Sequence, residues 1–150
     1  MLELVYENQT GDTSWSEVFF RKVISHACTR LNLDNKTVEL GLHLVTPERS
    51  RELNKQYRQK DKSTDVLSFP LNEHGLEKYG ILPLGDIFIC LEIAQRQADE
   101  MNIPIDQELA RLAVHGILHL LGHDHELSLT DEKKMIDLQE SIVKEVLDIL

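Results

Sequence analysis

The sequence predicts an α+β domain built on a mixed sheet. Three observations carry that prediction. Segments of strand alternation and segments of helical spacing are interspersed along the chain. Two short β-rich runs, "DVLSFP" and "GDIFIC", lie close together near the middle of the chain. No repeat, low-complexity stretch or Pro/Ser/Gly linker divides the 150 residues, a length that buries a core without disulfides.

Leu2–Tyr6 alternates and is β-rich, so it reads as a first strand. Ser16–Leu31 carries Val18, Phe19, Val23, Ala27 and Leu31 at helical spacing, with Ser14 or Ser16 as the N-cap and Trp15 as a packing anchor. Thr37–Val45 alternates again, and His43 within it reads as structural. Thr46 followed by Pro47 is a helix start signal, and the helix it opens places Arg51, Lys55 and Arg58 on one face. "DVLSFP" closes as a strand at Pro70, Asn72–Pro83 reads as a loop, and "GDIFIC" follows as a strand. Leu91–Met101 is a helix that stops before Pro104. Asp106–Leu121 is a second, deeply apolar helix, with Gly122 as its C-terminal stop. Thr130–Leu150 is a final amphipathic helix, capped by Thr130, with Met135, Leu138, Ile142, Val146 and Ile149 along one side.

Composition narrows the function. The apolar fraction of 41% and charged fraction of 28% are globular values. No tract is apolar and long enough to span a membrane, and the N-terminus lacks a basic region followed by an apolar one. A cytoplasmic protein without membrane attachment is expected. Cys28 and Cys90 lie far apart, outside any C-x-x-C pattern, and read as reduced, small hydrophobes. A net charge of −10 argues against indiscriminate nucleic-acid binding. Yet Arg49–Lys62 holds six basic residues against Glu52 and Asp61, a local +4 that leaves −14 on the rest. Such an island is either a solvated helix face with its loop or a focused anion site.

The stretch "HGILHLLGHDH", His115–His125, concentrates four of the seven histidines in eleven residues. An i, i+4 pair on a helix is separated by ~6 Å along the axis and only ~40° around it, so His115 and His119 can point at one ion. Gly122 tolerates the turn that must follow, and His125 can swing back as a third ligand. His123 is an alternative third ligand, and the spacing favours His125. Three neutral nitrogens suit Zn²⁺ and leave a position open, the arrangement of catalytic rather than structural zinc. Asp124 is a candidate to orient a ligand or manage protons, or simply to stabilise the turn.

The spacing 0, 4, 10 matches that of a peptidase motif whose second residue is a catalytic Glu. Here that residue is Gly116, and no downstream Met-turn is assignable. A reaction that needs charge stabilisation more than a base loses less by this. Phosphodiester cleavage is one, because negative charge spreads over phosphoryl oxygens where a metal and a bidentate Arg can share it. The basic island supplies that Arg.

"HGILHLLGHDH", together with "YRQKDKSTDVLSFP" (Tyr57–Pro70) and "LGDIFIC" (Leu84–Cys90), resembles the YbeY family of bacterial metal-dependent endoribonucleases, also called rRNA maturation factors. The resemblance implies a zincin-like α+β fold with a four-stranded mixed sheet and about five helices. It implies one zinc ion per chain on His115, His119 and His125. It implies cleavage of single-stranded RNA, maturation of the 3′ end of small-subunit ribosomal RNA, and work alongside ribosome-associated proteins. Arg58 matches the family's essential arginine, the cation already singled out by charge. Lys60 and Lys62 are expected on flanking phosphates. Because the body is acidic, the ribonuclease reading depends on a local positive cleft.

Two alternatives stand beside it: a zincin-like metallopeptidase, and a non-catalytic ribosome-assembly factor with a structural metal. Asp86 reads either as a partner to a zinc-bound His or as a turn acid, with the turn favoured. Asp65 reads as satisfying loop backbone donors, and Ser68 as structural.

Overall fold

The computed structural model describes residues 1–71, 75–122 and 129–150. Four strands and five helices follow the order β1 (Leu2–Asn8), α1 (Glu17–Arg30), β2 (Thr37–Val45), α2 (Pro47–Arg58), β3 (Val66–Pro70), β4 (Ile81–Cys90), α3 (Leu91–Met101), α4 (Ile105–Leu120) and α5 (Leu129–Ile149). The sheet order is β1-β2-β4-β3. β1, β2 and β4 are parallel, and β3 runs antiparallel along β4. This is the expected α+β architecture with a mixed four-stranded sheet.

α4 is the centre of the packing. Leu109, Ala110, Ala113, Val114, Ile117 and Leu118 on it are fully buried. It touches β3, β4, α1, α3 and α5. A helix apolar on most of its circumference has to be surrounded in this way. Gly122, at φ +92°, ends it through an N–H bond to the His119 carbonyl at 3.0 Å. α1 is tied to α5 by Arg30, whose Nε donates to Glu145 at 2.6 Å.

Several expectations shift in detail. β4 begins at Ile81, inside the segment read as a loop, after a 3-10 turn at Glu77–Tyr79. Pro83 is tolerated in a central strand because the register with β2 slips there: Glu39 pairs Pro83, Leu40 pairs Gly85, and Leu84 is an extra residue. In α1, Val18 is 62% exposed, and the buried face is instead Phe20, Val23, Ile24, Ala27 and Cys28. Ser16 occupies its N-cap position without a side-chain cap bond. Thr130 lies inside α5 rather than capping it, and Ile149 is exposed. Thr46 does cap α2, its Oγ1 accepting from the Arg49 N–H at 3.2 Å. Trp15 packs against the core and meets Phe19 with ring centroids 5.1 Å apart. Among the described residues no helix is long and apolar enough to cross a membrane.

Candidate active site

A cleft of about 450 Å³ opens at the β3 edge of the sheet, where the C-terminal turn of α2 approaches α4. Tyr57, Arg58, Asp65, Phe69, His115 and His119 are among its lining residues. The +4 island and the histidine motif, 57 residues apart between Arg58 and His115, therefore meet in space. His115 and His119 stand one turn apart on α4 with ring centroids separated by 4.4 Å and planes inclined at 54°. Both imidazoles can thus serve one centre. The third expected ligand, His125, lies outside the described residues, as do His123 and Asp124.

His115 is oriented by a residue that sequence spacing did not reveal. Its Nδ1 lies 2.7 Å from Oε1 of Gln139 on α5, and Gln139 is buried. The Gln139 amide nitrogen donates to a Glu140 carboxylate oxygen at 3.2 Å. A carboxylate only accepts, so the amide nitrogen belongs on that side and the amide oxygen on the His115 side. Nδ1 is then the donor, and Nε2 is the ring nitrogen that carries the lone pair. This is how metal-binding imidazoles are commonly held, with one N–H fixed by a neighbouring acceptor. The two imidazoles accordingly fit a Zn²⁺ ion. The only sequence clue to Gln139 is a polar residue one position beyond Leu138, adjoining the apolar stripe of the last helix.

Gly116 follows from packing. A Cβ there would lie 2.8 Å from Cδ1 of Ile87 and about 3.0 Å from two more of its carbons. α4 rests directly on β4 at this point, and the Ser68 hydroxyl donates to the Gly116 carbonyl at 3.5 Å. At the position where peptidases of this spacing carry a Glu, any side chain would press on Ile87. Ser68 is a strand residue serving this contact, as expected.

Arg58 is the last residue of α2, and the chain turns immediately after it through Gln59 in the left-handed conformation. Two buried polar side chains hold the returning loop. Ser50 donates to the Thr64 carbonyl at 3.0 Å and accepts from the Thr64 N–H at 2.9 Å. Asn54 donates to the Lys62 carbonyl at 2.9 Å. Asp65 Oδ1 accepts from the Val66 N–H at 2.8 Å and from the Thr64 hydroxyl at 3.2 Å, the backbone role expected of it.

The island's charges divide between internal pairing and the cleft. Arg51 forms a two-pronged pair with Asp61 at 2.6 and 3.2 Å, which holds the Asp61 carboxyl below the usual carboxylate range. Arg49 donates to Glu52 at 2.7 Å. Both island acids are thus engaged, while Arg58 lines the cleft. Lys60 and Lys62 are exposed on the loop and do not line it.

Asp86 departs from both readings offered for it. It lies within β4, not in a turn, and its Oδ1 bonds Nε2 of His43 at 2.9 Å. The β-pairing explains this: Gly41 faces Asp86, so the face that carries Asp86 also carries His43 and Phe88, opposite the α4 side where Ile87 and Ser68 point. Asp86 therefore orients His43, not a cleft histidine. Cys28 and Cys90 are buried free thiols, and burial pushes Cys28 up to about 11.

Comparison with known proteins agrees with this geometry. Residues 5–147 match the family model described as endoribonuclease YbeY. A Persephonella marina protein named endoribonuclease YbeY is 40% identical over 97% of this chain and 94% of its own. One of the same name from a Sulfurihydrogenibium species is 48% identical over 83% of this chain and 79% of its own. The solution structure of TM1509 from Thermotoga maritima superposes with a TM-score of 0.66 at 30% identity, covering 96% of this chain and 89% of that one. With its two cleft histidines, its arginine and a match over nearly its whole length, this chain belongs to the YbeY endoribonuclease family.

Proposed function

We propose that this protein is a zinc-dependent endoribonuclease that cuts single-stranded RNA. Its substrate is the 3′ end of small-subunit ribosomal RNA, and it works in the cytoplasm beside ribosome-associated proteins. The relatives' names supply the reaction class. The observation that carries the reading is the meeting of Arg58 with His115 and His119 in one cleft. His115, His119 and His125 would hold the ion, which when bound supplies Lewis acidity at a phosphoryl oxygen. Arg58 is placed to donate to the same phosphate, where its guanidinium stabilises the charge that grows during P–O cleavage. Gln139 keeps His115 in the tautomer that presents Nε2. Buried Ser50 and Asn54 fix the loop beyond Arg58, so the cation is held at the cleft rather than ranging over the surface. Lys60 and Lys62, outside the cleft, are placed for flanking phosphates of a longer strand.

The peptidase alternative has no support in the cleft, because Gly116, packed on Ile87, supplies no carboxylate where that reaction uses one. The testing experiment is cleavage of an end-labelled single-stranded RNA by zinc-loaded protein, beside His119→Ala and a duplex control. Cutting of the single strand, lost in the variant and weak on the duplex, is expected. RNA bound but left intact by the zinc-loaded protein would favour the assembly-factor alternative.

A further inference from the structure

The chain is poor in aromatic residues, at 5% of its length, yet two of them line the cleft beside Arg58. Tyr57 precedes Arg58 in the last turn of α2 and is 57% exposed. Its ring leans on Phe69 of β3, centroids 5.1 Å apart at 58°. Phe69 is braced from behind by Phe88, at 5.7 Å and 71°, and Phe88 in turn stacks on His43 at 4.4 Å and 13°. The outermost ring is therefore open to solvent while the rings below it are partly buried and packed on one another. Core packing does not account for Tyr57. Its hydroxyl makes no hydrogen bond among the described residues, whereas that of Tyr6 donates to the Trp15 carbonyl at 3.3 Å.

We infer that Tyr57, seated on Phe69, is a stacking shelf for one unpaired RNA base next to the phosphate held at Arg58. A nucleotide joins a flat apolar base to an anionic phosphate through one sugar, and an exposed ring beside a cation in one cleft matches those two halves. The match is sequence-tolerant, because every base has a π-face. It selects against duplex, in which each base is already stacked and paired and its faces are unavailable. The shelf thus supplies a physical origin for single-strand preference, and it rests on the endoribonuclease reading above. A rigid support matters, since a ring that is already immobilised loses little freedom when a base lands on it.

The test compares wild type, Tyr57→Ala, Tyr57→Phe and Tyr57→Trp, all full-length and zinc-supplemented. The substrates are a single-stranded oligoribonucleotide, its duplex, and the same single strand with one abasic ribose moved through the positions flanking the cut. Tyr57 is exposed, so equal melting temperatures are expected throughout. The shelf predicts that Tyr57→Ala lowers kcat/KM on the intact single strand by about 5- to 100-fold, chiefly through KM. Tyr57→Phe and Tyr57→Trp should retain activity. At one abasic position wild type and Tyr57→Ala should converge, and the single-strand over duplex ratio should shrink in Tyr57→Ala. Undiminished cleavage by Tyr57→Ala, or an equal loss at every abasic position, overturns the shelf while leaving the endoribonuclease reading in place. Wild-type protein that cuts no RNA overturns both.

Discussion

Two histidine environments in this protein look alike on paper and differ in chemistry. His43 and His115 each have a ring nitrogen within 2.9 Å of a side-chain oxygen. His43 is enclosed on both sides by carboxylates, Asp86 at Nε2 and Glu7 at 3.9 Å from Nδ1, and one face is covered by Phe88. Its Nε2 is held by Asp86, while Nδ1 is buried with no hydrogen-bond partner among the described residues. His115 donates from Nδ1 to the neutral Gln139 amide oxygen, and it lines the cleft with His119 and Arg58. A carboxylate neighbour is the more familiar sign of a working histidine, yet here it marks the structural one. What distinguishes the cleft histidine is a neutral acceptor at Nδ1, a second imidazole one turn away and a cation lining the same cleft.

The largest expected effect separates these regions by activity. Arg58→Ala should lower RNA cleavage by roughly 10²–10³-fold, the scale of removing one donor from a developing oxyanion. His43→Asn should leave cleavage within about 2-fold, because a residue outside the cleft contributes no such donor. Arg51→Ala is the control for charge alone, since Arg51 is consumed by Asp61 and should change activity little. Initial rates on one labelled single strand check all three. A loss with Arg51→Ala equal to that with Arg58→Ala would make the island a diffuse field rather than a placed cation.

The next effect separates the two acceptors. Gln139→Leu keeps the volume and removes the acceptor for His115 Nδ1. Zinc affinity, measured by chelator competition, should fall about 10- to 100-fold, the usual range for losing such a support. Asp86→Asn, which weakens the His43 pair, should leave that affinity unchanged. Gln139→Glu should restore most of what Gln139→Leu loses.

How much of this was legible in the sequence follows from how local each signal is. Alternation and helical spacing are local, so every helix and strand was recognisable by type. The beginning of β4 was not, because Pro83 reads as a breaker unless the slipped register opposite Glu39 is known. His115 and His119 were readable because i, i+4 geometry is a property of one helix. Gln139 was not, because it reaches His115 from another helix, 24 residues on. Arg58 was chosen from among six basic residues by family likeness and charge. What separates it from Arg51 physically is Asp61, a loop acid whose partner the sequence leaves open. Asp86 misled because "GDIFIC" does not say which face of the strand an acid occupies. The expected third ligand, His125, lies outside the described residues.

A stability measurement breaks the comparison differently. Gly116→Ala places a methyl against Ile87 and should destabilise by about 1–3 kcal/mol, the range for overpacking a tight core contact. The readout is the urea midpoint. Because α4 would have to lift from β4, the cleft histidines should move with it, and zinc affinity should fall in parallel. His43 lies on the other face of the sheet, and its bond to Asp86 should survive, visible as an unchanged imidazole NMR signature.

The smallest expected effect concerns Glu108, a turn of α4 away from Arg111 and two turns before His115. It is fully buried, its contact is Arg111, and burial raises its carboxyl above the ordinary value despite that contact. A carboxyl whose pKa is raised by folding binds its proton more readily in the folded state. Stability is therefore greatest below the ordinary Glu value and declines as pH rises through the raised one. Asp61 and Glu145, lowered mainly by their hydrogen bonds to Arg51 and Arg30, act oppositely, losing their contribution as pH falls below the usual carboxylate range. Both are exposed, so their share is small. Glu108→Gln should then flatten the decline in urea midpoint as pH rises above the ordinary Glu value, with the acid limb unchanged. An undiminished decline in Glu108→Gln would place its origin elsewhere.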